Sequence, residues 1–78
     1  MIRRVFVRVY VPKKVRELKA MLRKAGFGYR PGKGSHTFWW HAAISDRITF
    51  SGSDGDDAKP YQEAMVYDAL RKLKERGE

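Results

Sequence analysis

Apolar residues recur at helical spacing in two segments of the chain. In the first, residues 13–25, they form one stripe whose members are three or four residues apart: Val15, Leu18, Leu22 and Ala25. This spacing predicts an amphipathic helix, and Gly26 suits its C-terminal cap. A second helix is predicted from Pro60 to Gly77, with a stripe that contains Val66, Ala69, Leu70 and Leu73. In the polar loop before it, Asp56 or Asp57 is expected to provide the N-terminal cap.

Between the two helices the pattern predicts three strands, at about 27–30, 35–42 and 47–51. A turn rich in Gly and Pro, residues 31–34, separates the first two strands. Strand alternation predicts a core face with His36 at its rim, followed by Phe38, Trp40, Ile48 and Phe50. The open face is predicted to hold Thr37, Trp39, His41, Arg47 and Thr49.

The order helix–strand–strand–strand–helix predicts an α+β domain. Two helices on one face of a three-stranded antiparallel sheet resemble the double-stranded-RNA-binding fold. Residues 4–11 also alternate, and Pro12 ends that pattern. This segment is an extra edge strand, a dimer contact, or a stretch upstream of the minimal domain. We therefore divide the chain into an N-terminal strand or extension, residues 1–11, and a domain of residues 12–78.

With 78 residues the chain is one small domain, of a size that is marginally stable without a disulfide, a metal or a partner chain. It contains no cysteine, which excludes disulfides and thiolate metal sites and makes a partner protein a reasonable expectation. No apolar run is long enough to span a membrane. Arg8 and Pro12 interrupt the one segment that resembles a signal peptide, so we expect a cytoplasmic protein.

The net charge of +8 is unevenly distributed along the chain. Residues 1–33 carry +10, residues 34–59 carry −2, and residues 60–78 are neutral. A one-sided basic field predicts a polyanionic partner, and we favour nucleic acid. A membrane surface is a weaker alternative, because the basic helix lacks the bulky apolar face of an interfacial anchor. A solvated basic helix without a partner also fits the pattern.

The strongest chemical signal is at residues 33–36, which read Lys-Gly-Ser-His. Glycine lets the backbone approach a phosphate closely, and Ser35 offers a hydrogen-bond donor. His36 can take and return a proton near neutral pH, while Arg30 and Lys33 can stabilise charge on a phosphate. The alternative is a glycine turn followed by a partly buried histidine bonded to the backbone. The residues alone favour that alternative.

Two segments carry a resemblance to a known family: VRELKAMLRKAGF, residues 15–27, and KGSHTFW, residues 33–39. Together they resemble the HicA family of toxin–antitoxin ribonucleases, over roughly residues 12–76. The resemblance implies a metal-independent ribonuclease without a cofactor, which cleaves mRNA and is held inactive by a HicB-type antitoxin. It assigns the family's catalytic histidine to His36. Many members carry Pro-x-His after the third strand, whereas residues 50–54 here read Phe-Ser-Gly-Ser-Asp.

RNA is expected to lie along the basic first helix and the turn at 30–36. The residues expected to contact it are Lys19, Arg23, Arg30, Lys33, Gly34, Ser35 and Trp39. Trp39 is expected to stack a base or dock the antitoxin, with cross-strand packing under the N-terminal strand as an equal alternative. His41 is more readily a surface histidine than an RNA contact. Its odd spacing from His36 argues against a shared acid–base pair or metal site.

The leading hypothesis is an endoribonuclease toxin with His36 as its acid or base. The complete reaction needs a second proton-transfer group, which the sequence does not identify. The alternatives are a non-catalytic RNA-binding module of the same fold and a degenerate toxin that chiefly binds its antitoxin. His36 discriminates between these hypotheses, because only the nuclease depends on it.

Overall fold

A computed structural model of the chain describes residues 11–77. Its elements are α1 (Val15–Lys24), β1 (Gly28–Pro31), β2 (Thr37–Trp40), β3 (Arg47–Phe50) and α2 (Pro60–Glu75). The strands form one antiparallel sheet in the order β1-β2-β3. This arrangement confirms the predicted α+β fold of double-stranded-RNA-binding type. Apart from Val11, the predicted N-terminal strand lies outside the described residues.

Helix α1 buries its predicted stripe and ends where the sequence indicates. The buried apolar residues of the helix are Val15, Leu18 and Leu22. At its start the Glu17 carboxylate accepts a hydrogen bond from the Lys14 N–H at 2.7 Å, which satisfies a backbone donor that the helix leaves unpaired. Beyond its end Gly26 adopts a φ of 94°, a left-handed conformation that favours glycine.

Helix α2 begins at Pro60, as predicted, but without an aspartate cap. Lys59 is the N-cap residue, and its N–H donates to Gln62 Oε1 at 2.8 Å. The prediction that Asp56 or Asp57 caps this helix is therefore wrong. Their carboxylates bind a loop amide and the lysine before α1 instead.

The register of the sheet corrects the predicted faces of β2. Trp39 pairs with Ile48, and both side chains lie against the helices with exposed fractions of 1% and 2%. The prediction that Trp39 lies on the open face is wrong by one residue, and a shift of one residue reverses every side chain of a strand. The open face of β2 instead holds Phe38 and Trp40. The predicted faces of β3 are confirmed, with Ile48 and Phe50 buried.

Local sequence gave no guide to the buried face of β2, because residues 38–40 are all aromatic. Trp39 suits the core because its indole N–H donates to Thr37 Oγ1 at 2.9 Å, which satisfies its polar atom. Its ring also meets the Phe50 ring edge-on, with centres 6.4 Å apart. The strand is shorter than predicted, so His36 and His41 lie just outside its two ends.

The core lies between the sheet and the two helices. Its largest apolar members are Trp39, Phe50, Leu18, Leu22, Val15 and Val66. Within residues 11–77, every buried side-chain nitrogen and oxygen has a hydrogen-bond partner. The packed layer leaves the other face of the sheet uncovered by either helix, and the turn between β1 and β2 lies at one end of it.

Candidate active site

The turn between β1 and β2 is closed by its own backbone. The Gly32 N–H donates to the His36 carbonyl at 2.8 Å, and the His36 N–H donates to the Lys33 carbonyl at 3.1 Å. Gly34 has a φ of 60°, in the left-handed region that favours glycine. Residues 33–36 are all exposed, so four of the predicted site residues come together on one accessible turn.

His36 differs from its predicted position at the rim of the core. It precedes β2 and its side chain is exposed, with Nδ1 2.9 Å from the Lys33 carbonyl oxygen. A carbonyl oxygen can only accept, so Nδ1 carries the proton and the neutral imidazole has its lone pair on Nε2. The alternative predicted a partly buried histidine that is bonded to the backbone. Its hydrogen bond to the backbone is confirmed, but its burial is wrong, because the side chain is exposed. The arrangement presents a proton acceptor on an exposed side chain.

Ser35 connects this turn to a second loop. Its Oγ accepts a hydrogen bond from the Gly52 N–H at 3.0 Å. Gly52 follows β3 with a φ of 101°. The contact was missed from sequence, although hairpin pairing of β2 with β3 brings the start of one strand beside the end of the other. The Ser35 hydroxyl still has its own hydrogen to donate to a ligand.

Lys19, which the sequence predicts to be an RNA contact on α1, is largely buried. The residue is 9% exposed, and its Nζ lies 2.7 Å from Asp54 Oδ1. It lies four residues after Val15, at the edge of the buried stripe, so its stem covers apolar surface while its ammonium reaches the loop. This hydrogen bond and the lysine's charge lower the pKa of the Asp54 carboxyl. The charge of Lys19 is therefore matched within the chain.

Arg23 and Trp39 meet on the helix side of the sheet. The Arg23 guanidinium lies 5.2 Å from the centre of the Tyr29 ring and 5.7 Å from that of Trp39. Tyr29 stacks on Trp39, with ring centres 4.5 Å apart. Because Trp39 is 1% exposed, the prediction that it stacks a base or docks a partner is wrong. Within the described residues its role is cross-strand packing against Tyr29.

Arg30 lies on the opposite, open face of the sheet. Its guanidinium is 5.0 Å from the centre of the Phe38 ring. The predicted RNA contacts therefore fall into three groups: the turn, the helix side and the open face. Sequence reasoning missed Phe38 and Trp40 as surface candidates. Gly28, which pairs with Trp40, was a signal for them, because glycine on one strand commonly makes room for a ring on its neighbour.

His41 has a local structural role beyond the other end of β2. It is half-buried, and its ring meets that of Phe27 edge-on with centres 5.2 Å apart. Its Nδ1 accepts a hydrogen bond from the Ala43 N–H at 2.9 Å, which holds the turn after the strand. The two histidines therefore belong to different ends of the strand.

Two further features concern the part of the chain that the structure describes. Among residues 11–77, no three His, Asp or Glu side chains come together as a metal-ligand group. Neither α1 nor α2 has the length and apolar character needed to cross a membrane.

The fold and the turn define a class of protein, a small α+β domain of double-stranded-RNA-binding type with an exposed histidine beside a glycine turn. A family model described as the HicA toxin of bacterial toxin–antitoxin systems matches residues 15–74. The chain therefore belongs to the HicA toxin family, which confirms the resemblance seen in the sequence. No curated protein and no solved structure matches the chain.

Proposed function

We propose that this chain, the toxin of a toxin–antitoxin system by its family, is an endoribonuclease that cleaves mRNA and thereby inhibits translation. One observation carries the proposal. The exposed His36 side chain holds its Nδ1 on the Lys33 carbonyl at 2.9 Å, so that Nε2 is the proton acceptor. The net charge of +8 supports a polyanionic substrate. As the family resemblance implies, the reaction is proposed to use no metal and no cofactor.

In the proposed reaction, His36 Nε2 accepts the proton of a ribose 2′-hydroxyl. The 2′-oxygen forms a bond to the adjacent phosphorus, the bond from phosphorus to the 5′-oxygen breaks, and the leaving oxygen takes a proton from water. The products are a 2′,3′-cyclic phosphate and a 5′-hydroxyl end. A positioned histidine base contributes a rate factor of about 10² to 10⁴ to such a step.

The same turn offers groups that would hold the phosphate. The amide N–H groups of Gly34 and Ser35 have no hydrogen-bond partner within residues 11–77, and both residues are exposed. Successive backbone N–H groups in a turn with a left-handed residue form an anion-binding site. The exposed Lys33 ammonium adds positive charge beside them, where it would stabilise the additional charge of the transition state.

A HicB-type antitoxin is the protein partner we propose, and the cytoplasm is the compartment in which the toxin would meet mRNA. The exposure of residues 33–36 supports this partner, because a protein seated on the turn would keep RNA from His36. The test is co-expression with the product of any small open reading frame that adjoins the toxin gene. We expect a stable complex without ribonuclease activity. A neighbouring product that neither binds the toxin nor changes its activity would contradict the assignment.

The direct test of the nuclease compares purified wild-type protein with His36→Ala on single-stranded RNA in the presence of a chelator. We expect cleavage by the wild type only, with cyclic-phosphate ends. A wild-type protein that binds RNA and never cuts it would instead support the non-catalytic RNA-binding module.

A further inference from the structure

The open face of the sheet carries two aromatic side chains between two arginines. Strand β2 provides Phe38 and Trp40, which are both half-buried. Arg30 of β1 pairs with Phe38, and Arg47 of β3 pairs with Trp40. The helices pack against the other face, and a shallow depression of about 280 Å³ lies among these open-face side chains. We call this surface, made of residues 30, 38, 40 and 47, the aromatic face.

Glycines beneath the two rings determine how they lie. A Cβ placed on Gly28 would be 2.9–3.0 Å from three adjacent atoms of the Trp40 indole, so the face of that ring covers the glycine. A Cβ on Gly32 would likewise collide with the Phe38 ring. The Trp40 and Phe38 rings therefore lie against the backbone of Gly28 and Gly32, and the Arg30 guanidinium lies over the Phe38 ring, 5.0 Å from its centre.

The charge of this face has one sign. Arg30 and Arg47 are exposed, and no carboxylate belongs to the open-face positions of the three strands. Asp46, which comes directly before β3, is bound through its carboxylate to Lys72 of α2. Within residues 11–77 neither arginine makes an ion pair, and an aromatic surface with a guanidinium on both sides is complementary to a ligand that has flat rings and negative charge.

We propose that the aromatic face binds single-stranded RNA, with unpaired bases stacked on Phe38 and Trp40 and phosphates held by Arg30 and Arg47. The identity of the ligand as RNA rests on the proposed function. Phe38 and Trp40 are two residues apart on one strand, which separates them by about 6.7 Å and gives each ring its own base. Paired bases inside a duplex cannot reach such rings, so the face selects unpaired RNA.

The aromatic face lies next to the turn that carries His36, and this position indicates how the face would act in the reaction. His36 directly precedes β2 and lies two residues before Phe38 along the chain. An RNA strand that stacks on Trp40 and then on Phe38 is therefore directed toward His36. The face would position unpaired nucleotides next to the scissile phosphate and would restrict cleavage to single-stranded segments.

The experiment measures binding of a single-stranded 2′-O-methyl oligonucleotide, which lacks the nucleophilic hydroxyl and stays intact, and of the same sequence as a duplex. Trp40→Leu removes the ring, and Trp40→Phe keeps one as its matched control. Arg47→Gln removes a charge from the face, and Arg76→Gln removes an exposed charge from the end of α2. Circular dichroism checks the fold of each variant.

We expect Trp40→Leu to weaken single-strand binding by about tenfold or more, and Trp40→Phe by less than about threefold. Arg47→Gln should weaken binding and lower the slope of log affinity against log salt by about 0.7, while Arg76→Gln leaves both unchanged.

The proposal is overturned if folded Trp40→Leu binds as the wild type does, if the two arginine variants behave alike, or if the duplex binds as tightly as the single strand. If Trp40→Leu does not fold, the comparison of Arg47→Gln with Arg76→Gln decides whether the proposal stands. Loss of antitoxin binding with unchanged RNA binding would assign the face to a protein and overturn the proposal.

The same oligonucleotide separates this proposal from the nuclease. His36→Ala should bind the 2′-O-methyl strand as tightly as the wild type does. If the strand binds through the aromatic face but ordinary RNA is never cut, the nuclease is wrong and the binding face stands. If RNA is cut and Trp40→Leu changes neither binding nor cleavage, the nuclease stands and the binding face is wrong.

Discussion

The Ser35 hydroxyl accepts a hydrogen bond from the Gly52 N–H at 3.0 Å and so joins the turn before β2 to the loop after β3. That loop is itself tied to α1, because Asp54 binds Lys19 at 2.7 Å. His36 follows Ser35 directly in the chain. The turn that carries the imidazole is therefore connected through this loop to the first helix.

We predict that Ser35 positions His36. In Ser35→Ala the turn loses its bond to Gly52, and a small displacement of the base should lower kcat by about 10- to 100-fold. Ser35→Thr keeps the hydroxyl and should restore most of the activity. Cleavage kinetics on single-stranded RNA measure both variants. If Ser35→Thr is as impaired as Ser35→Ala, or if both are fully active, the hydroxyl does not hold the turn.

The Lys19–Asp54 contact should make stability depend on pH in the acid range. The lysine lowers the pKa of Asp54 below its ordinary value of 3.8 in the folded state. The stabilisation is therefore present above about pH 4 and is lost as the pH falls through the folded-state pKa. Because Asp54 is largely exposed, Asp54→Asn should cost about 0.5–1 kcal/mol at pH 7. That corresponds to a decrease in Tm of about 2–8 °C.

Thermal unfolding at pH 7 and at pH 2 tests this contact. The difference in Tm between wild type and Asp54→Asn should shrink as the pH falls through the lowered pKa of Asp54, because a protonated Asp54 is neutral, as asparagine is. Lys19→Met keeps the apolar stem without the charge, and in its background Asp54→Asn should have little effect. A difference in Tm that is the same at both pH values would show that the charge of Asp54 does not matter.

Periodicity was sufficient to predict the helices and the order of the elements. Val15, Leu18 and Leu22 mark one face at a spacing that only a helix brings together, and they are buried as expected. Gly26 and Pro60 bound the segments through conformational preferences of their own backbones. These features are local, so a single sequence contains them.

The predictions that failed concern features that depend on contacts between residues distant in the sequence. Trp39 and Trp40 are chemically identical neighbours, and the pairing of Trp39 with Ile48 decides which of them is buried. Lys19 lies on the boundary of the apolar stripe, and the position of Asp54 directs its ammonium toward the loop after β3. Ser35 lies 17 residues from the amide it binds. Each outcome was set by tertiary structure rather than by residue type or spacing.

The two neighbouring tryptophans should differ sharply in their effect on stability. Trp39→Ala removes a ring that is 1% exposed, and we expect a loss of about 3–5 kcal/mol in the free energy of unfolding, enough to threaten the fold. Trp40→Ala removes a half-buried ring from the open face and should cost clearly less. Urea denaturation followed by circular dichroism measures both. Equal losses, or a larger loss for Trp40→Ala, would contradict the face assignment.

Removing one lysine charge should affect RNA binding only where the ammonium is available. Lys33→Gln takes a charge from the exposed turn and should lower the slope of log affinity against log salt by about 0.7. Lys19→Met takes the same charge from a position already paired with Asp54 and should leave the slope unchanged. Titrations of an unstructured oligonucleotide at several salt concentrations compare the two. Identical changes in slope would indicate that only the overall charge of the protein matters.

The two histidines should separate catalysis from stability. His36→Ala removes an exposed side chain and should change the free energy of unfolding by no more than about 0.5 kcal/mol, while it lowers the cleavage rate by about 10² to 10⁴. His41→Ala leaves the Ala43 N–H without its acceptor and removes the ring packed on Phe27, at a cost of about 1–3 kcal/mol. Its folded fraction should nevertheless cleave RNA at the wild-type rate.

Cleavage assays and urea denaturation on the same preparations measure the cleavage rate and the free energy of unfolding of each variant. The pairing is informative because each histidine makes one hydrogen bond through Nδ1 to or from the backbone, one on an exposed turn and the other against the core. Growth arrest on expression should follow the rate rather than the stability. A His36→Ala protein that cleaves at the wild-type rate would rule out the proposed base. One that unfolds as readily as His41→Ala would show that the role of His36 is structural.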